Sequence, residues 1–228
     1  MSLFTPATLR FLDDLRENNN KAWFEENKLR YEADVREPAR AFIRAMVPTL
    51  EALCPSFVAD DRKVGGSLMR VFRDTRFSKD KTPYKTNIGV QFRHEDGADV
   101  HAPGIYLHID SESCFLGVGS WMPEPEPLLA VRQTIVADPE RAAAVIASAK
   151  GGGWTESALA DAALKRVPKG FDPDHPQAEL LRRKSHLLVS PLTRAEVVAD
   201  DLVDQVGQRL GAAIPYLRWL TEAVGARF

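Results

Sequence analysis

Cysteine is scarce in this chain, with two in 228 residues. Cys54 and Cys114 stand far apart and lack the close spacing of a zinc site or a redox thiol pair. They read as free thiols in a reducing cytoplasm, which makes the expected location cytoplasmic. Long apolar runs are missing too. No stretch approaches the roughly 18 apolar residues of a membrane span, so no membrane partner is expected. The opening MSLFTPATLRFLDDLREN has neither the basic start nor the unbroken apolar run of a secretory signal. An excess of one charge is also lacking, since 30 Lys and Arg balance 32 Asp and Glu. A general basic coat for long duplex is thereby excluded, and any anion-binding surface has to be local.

Several signatures of known chemistry are absent as well. Gly151-Gly152-Gly153 is followed by no Lys-Thr or Lys-Ser pair, so it is a break and not a phosphate loop. The glycines around Ser120 do not make a nucleophile elbow, and GVGSW is not a dinucleotide fingerprint. The five histidines show no ligand spacing. Asp172, Asp174 and His175 match neither a calcium loop nor a metalloprotease helix. No metal and no cofactor is expected.

What the chain has is one concentrated basic stretch, RVFRDTRFSKDKTPYK, from Arg70 to Lys85. Arg70, Arg73, Arg76, Lys79, Lys81 and Lys85 are six cations against two acids, Asp74 and Asp80, a local balance of +4 in a protein of net charge −2. Arginine offers a rigid fork for phosphate or carboxylate, and lysine a mobile point charge. The excess points towards an external anion. An internal salt-bridge network that pins a long loop, and a catalytic role for Asp74, remain open alternatives. Phe72 and Phe77 are expected to anchor the loop in the core, and Pro83 to restrict Tyr84 and Lys85.

The surrounding pattern is that of a single α+β domain, with an antiparallel sheet flanked by helices. A helical layer is expected over about 5–55, opened by Thr5-Pro6 and bent or restarted at Pro38. The sheet core is expected over about 64–121. It comprises a strand at 67–73, Thr86 to Phe92 with Ile88, Val90 and Phe92 on one face, Gly104 to Asp110, and Ser113 to Gly119. A polar loop at 94–103 carries His94 and His101, both ordinary in character. A helical part at about 127–224 follows. It holds a short strand from His186 to Val189, a capping box at Thr193 and Glu196 for a helix to about Leu210, and a last helix from Tyr216 to Val224.

His108 shares a polar strand face with Tyr106 and Asp110, and histidine exchanges protons near neutral pH. With Tyr84 beside it, the residues outline a site in which arginines hold an acidic substrate and His108 is general acid or base. A solvent-facing strand histidine fits the same pattern. Trp121 is a further contributor to the cleft. Lys184 and His186, after Arg182-Arg183, supply a second charged wall or merely a helix-end cluster, and His175 caps a turn. Tyr84, Tyr106 and Trp121 also offer stacking surfaces for nucleic acid, a less favoured partner. An acidic protein partner is a third class.

Arg73 to Lys85, RDTRFSKDKTPYK, resembles the hallmark of domain-of-unknown-function family 2461, a group of bacterial conserved hypothetical proteins. The similarity continues in Asn18-Asn19 with Trp23-Phe24 and Tyr31, in Pro38, and in Tyr106-Leu107-His108. It extends through Gly119 with Trp121 and Pro123, then Pro168-Lys169-Gly170-Phe171, His175-Pro176 and Lys184. It covers roughly residues 3–220 in order. Where the family tends to have a run of glycines before the tryptophan, Val118 interrupts it here. The resemblance implies architecture and no activity. The function expected from the residues is binding of a small phosphate- or carboxylate-bearing ligand in a basic cleft. The alternatives are an enzyme acting on such a ligand through His108, or a nucleic-acid or acidic-protein interaction module. The oligomeric state is left open by the sequence.

Overall fold

The computed structural model describes residues 2–97, 102–157 and 163–228. His101 and part of the 94–103 loop therefore lie outside the described residues. The N-terminal layer begins with α1 (Pro6–Glu17), where the Thr5 hydroxyl accepts from the Ala7 amide and Thr8 returns a bond to the Thr5 amide. These are the orphan N–H groups of a helix start. Asn20 caps α2 (Lys21–Glu26) by accepting from Trp23 N–H at 3.0 Å. The short α3 (Lys28–Arg30) runs into a π-helical turn, Tyr31–Arg36, and on into α4 (Glu37–Leu53). In that turn the Glu37 amide reaches back to the Glu32 carbonyl, five residues away. Pro38 has no N–H to offer and sits at the start of α4, so the bend expected at proline takes the form of an extra residue in the winding.

The described residues form a six-stranded antiparallel sheet in the order β1-β2-β3-β4-β6-β5. Its strands are β1 (Phe57–Val58), β2 (Ile88–His94), β3 (Gly104–Ile109), β4 (Cys114–Ser120), β5 (Thr155–Glu156) and β6 (His186–Leu192). Strand alternation sends Ile88, Val90, Phe92, Ile105, Leu107, Ile109, Leu116 and Val118 to one face, all buried. α4 packs on that face at β2, with the Phe42 and Phe92 rings 6.4 Å apart, and α9 (Leu202–Ala223) packs beside it at β4. α5 (Pro125–Ala137) and α6 (Pro139–Gly151) flank α9. Asp138 caps α6 by accepting from the Arg141 amide at 2.9 Å.

Three expectations change. The 67–73 segment lies along the outer edge of β2 but forms no strand of its own: an isolated bridge from Leu68 to Val90 joins it to the sheet, and another from Phe72 to Tyr84 joins it to the return limb of the loop. The Thr193–Glu196 capping box forms, yet it opens only the four-residue α8 (Arg194–Val197). The C-terminal helices then merge into one 22-residue helix that runs through Pro215. The missing N–H of Pro215 costs one backbone bond, and burial of Tyr216, Leu217, Trp219 and Leu220 outweighs it. Finally, Phe72 and Phe77 do not anchor the loop, being 55% and 95% exposed. Among the described residues no helix is long and apolar enough to cross a membrane, and no group of His, Cys, Asp and Glu is placed to hold a metal. Both cysteines are buried and free, and burial pushes the Cys54 thiol up to about 12.

Candidate functional site

The basic loop neutralises much of itself. Arg73 is bound to the Asp80 carboxylate and the Thr82 hydroxyl. Asp80 also accepts from the Thr82 amide and hydroxyl, both at 2.9 Å. Arg73 foremost, with Thr82, holds the Asp80 carboxyl down at about 2. Arg76 forks onto Asp74 through Nε at 3.0 Å and Nη2 at 2.7 Å, which likewise holds Asp74 at about 2. Lys81 donates to the Thr75 carbonyl at 2.8 Å. Asp74 is thus a firmly ionised partner for Arg76 on the outer surface, not an acid–base group facing a cleft. Lys79 is exposed at the same loop.

Tyr84 also departs from its expected role. The residue is 3% exposed and its ring is stacked on Phe24 at 4.0 Å, so the ring belongs to the core and presents no stacking surface. Its backbone is gripped by Asn19, whose Nδ2 donates to the Tyr84 carbonyl at 2.9 Å and whose Oδ1 accepts from the Tyr84 amide at 3.1 Å. With Lys85 N–H donating to the Val71 carbonyl at 2.7 Å, this fixes the return limb on either side of the Tyr84–Lys85 peptide.

Two clefts lie on either side of the 67–73 edge. The larger, about 580 Å³, opens between the first helices and this edge. Its cations are Lys28, Arg36, Lys63, Arg70 and Arg93, against the single carboxylate of Glu32. Glu32 accepts from Arg36 at 2.7 Å, Arg93 donates to the Gly66 carbonyl at 3.1 Å, and Lys28 pairs loosely with Glu25 at 3.6 Å. Among the described residues, Lys63 and Arg70 have no side-chain hydrogen bond or ion pair. The smaller cleft, about 350 Å³, lies over the open face of β2, β3 and β4. Lys85, Tyr106, Phe115 and Trp121 wall it, and Met69 and Gln91 belong to both clefts. Lys85 likewise has no side-chain partner among the described residues. Burial, and then the neighbouring charge of Arg70, lowers its pKa from the usual lysine value.

Behind the second cleft runs a hydrogen-bonded chain. Asp110 Oδ2 lies 2.8 Å from His108 Nε2, and His108 Nδ1 lies 3.2 Å from the Tyr106 hydroxyl. Asn87 Nδ2 approaches both His108 Nδ1 and Tyr106 Oη at 3.4 Å. Because the carboxylate only accepts, a neutral His108 carries its proton on Nε2 and accepts from Tyr106 at Nδ1. Burial raises Asp110, but bonds from His108 and from the Ser113 and Glu112 amides outweigh it, leaving the carboxyl below its ordinary value. Burial pushes Tyr106 up to about 12, so its hydroxyl stays protonated. Tyr106, and not His108, stands in the cleft wall. His108 stacks on Phe115 at 4.8 Å, one step behind.

The C-terminal basic run contributes little here. Arg182 and Arg183 pair with Glu179 at 3.3 Å and Glu156 at 2.5 Å. Lys184 lines neither cleft. His186 is no charged wall. It is buried opposite Ser120 in the β4–β6 pair, and burial, with Arg183 and Arg132 nearby, drives its pKa down to about 3. His94 closes β2, its Nε2 2.5 Å from the Arg227 carbonyl, and His175 accepts from the Gln177 amide at 3.1 Å in a turn.

Of the predicted ligand residues, the structure gathers Arg70, Lys85 and Trp121 at the clefts and pairs Arg73, Arg76 and Lys81 with groups of the loop itself. Sequence reasoning missed Lys28, Arg36, Lys63 and Arg93. Only Arg93 left a signal, since it continues the polar face of β2 after Gly89 and Gln91. No curated protein and no solved structure matches the chain. The family model described as "Conserved hypothetical protein (DUF2461)" matches residues 7–219, and the chain belongs to that family.

Proposed function

We propose that the protein binds a small phosphate- or carboxylate-bearing ligand in the cleft of Lys28, Arg36, Lys63, Arg70 and Arg93, with Lys85 on its far side. One observation carries this reading. Lys63, Arg70 and Lys85 line adjoining clefts with no side-chain hydrogen bond or ion pair among the described residues, while Arg73 and Arg76 are already matched. Five cations around the one carboxylate of Glu32 repel one another, and an anion relieves that repulsion. The buried free thiols support a cytoplasmic setting. The test is thermal unfolding with phosphate, sulfate and simple carboxylates at constant ionic strength. A saturable rise, reaching about 2.7 kcal/mol at a hundred times Kd, is expected. It disappears in Arg70→Ala and persists in Arg73→Ala. A rise that is absent, or that depends on Arg73 and not on Arg70, rejects this cleft.

The Asp110–His108–Tyr106 chain favours a second reading, an enzyme acting on the bound anion. Tyr106 would exchange a proton with the ligand while His108 takes up or returns it. Nitrogen NMR of His108 tests the premise. The Nε2–H tautomer is expected in the wild type, with Nδ1 changed by Tyr106→Phe. A proton on Nδ1 removes the relay.

A further inference from the structure

The floor of the second cleft gives the shape of its occupant. Gly104 faces Gly119 and Tyr106 faces Gly117 across the β3–β4 pair, so three glycines strip side chains from one patch of the open sheet face. The backbone accounts for two of them. Gly119 has φ +130°, and a Cβ there would stand 2.0 Å from the His186 carbonyl oxygen. A Cβ at Gly104 would press on the Phe92 carbonyl at 3.2 Å. Gly117 is different. Its φ is not left-handed, and a Cβ would make ordinary contacts of 3.6 Å with Leu187 and 3.7 Å with Tyr106. The fold accepts a side chain at 117, and a strand interior is weakened by lacking one. What glycine leaves there is a flat floor between the aromatic walls of Tyr106, Phe115 and Trp121.

We propose that this slot receives a planar ring carried by the same small anion that the basic cleft holds, so that the ligand is a ring-bearing phosphate or carboxylate such as a nucleotide or an aryl phosphate. The inference rests on the anion-binding reading above. Both clefts share Met69 and Gln91, and the Arg70 charge is felt at Lys85 inside the slot, so the two clefts adjoin. A volume of about 350 Å³ suits one ring system. Aromatic walls over a backbone floor favour a flat π-surface, while Lys85 and Arg70 draw the charged end to one side.

The test is calorimetric titration, at constant ionic strength, with inorganic phosphate, ribose 5-phosphate, phenyl phosphate and adenosine monophosphate. At least one of the two aromatic probes is expected to bind tenfold or more tightly than both probes that lack an aromatic ring. Comparing phenyl phosphate with the nucleotide shows whether a bare ring or a base on a ribose fits. Gly117→Leu removes that tenfold gain and leaves the Kd for inorganic phosphate within twofold. Arg70→Ala weakens all four. Trp121→Ala, at the rim, reduces the gain as a second variant should Gly117→Leu fail to melt cooperatively. Phosphate binding with no gain from a ring, or a gain that survives both slot variants, overturns the ring inference and leaves the anion site standing. Failure of all four probes to bind overturns the anion site, and the ring inference with it.

Discussion

Asn19 holds the peptide of Tyr84 from both sides, donating to its carbonyl at 2.9 Å and accepting from its amide at 3.1 Å. The side-chain amide does what a neighbouring strand would do, at the point where the chain returns from the basic loop. Asn19→Ala leaves both backbone groups of a buried residue unpaired. It is expected to cost about 1–3 kcal/mol in urea unfolding, and to weaken phosphate binding because Lys85 is the next residue. A variant as stable as the wild type would show that another group grips this limb.

Lys85 is expected to oppose stability at neutral pH. Its folded pKa lies below the unfolded 10.5, so the folded state binds fewer protons than the unfolded one between those two values. Stability therefore rises with pH through the folded pKa and levels off above 10.5. Lys85→Met removes that rise, adds up to about 1 kcal/mol near pH 7 and abolishes anion binding. Denaturant titrations across the alkaline range measure the first two effects, and calorimetry the third.

The charge pairs of the loop act at the acid end. Asp74 and Asp80 are held at about 2, below the ordinary 3.8. Their contribution is complete above the unfolded value and is lost as pH falls through about 2. Limited proteolysis with an acid-active protease should begin to cut within 73–82 across that interval, before the sheet unfolds. Arg73→Ala should allow cutting at neutral pH too, with phosphate affinity changed less than twofold.

His186 sets a second acid limit. Its folded pKa of about 3 lies below the usual 6.5, so the ring is neutral when folded and takes up a proton on unfolding. Its contribution is complete above 6.5 and falls as pH drops towards 3, by about 1.4 kcal/mol per pH unit. His186→Leu should flatten that slope in denaturant titrations between pH 6 and 4. An unchanged slope would assign the loss to another group.

The sheet was legible because period-two alternation is written directly into β2, β3 and β4, and their registers follow from one buried face. Caps at Thr5, Asn20, Asp138 and Thr193 were local in the same sense. The merger of the C-terminal helices was not, because Pro215 is overruled by contacts distant in sequence. The site was half legible for a similar reason. Residues 70–85 announce charge, but whether an arginine is matched depends on where each carboxylate lands. Arg73 met Asp80 within the loop, whereas Arg70 met Lys63 and Arg93 from other segments. Asn19 and Tyr84 show what the joint presence of Asn18-Asn19 and PYK in the family resemblance means physically.

The π-helical turn at Tyr31–Arg36 has a consequence for how the basic cleft tolerates a change in chain length. The wider winding absorbs one surplus residue between the Lys28–Arg36 wall and α4, which is fastened to the sheet by Phe42. Deleting one uncharged residue there would restore α-helical winding with the two flanks nearly in phase, because a wide turn takes one residue more to sweep the same angle. The wall keeps its facing while the chain shortens.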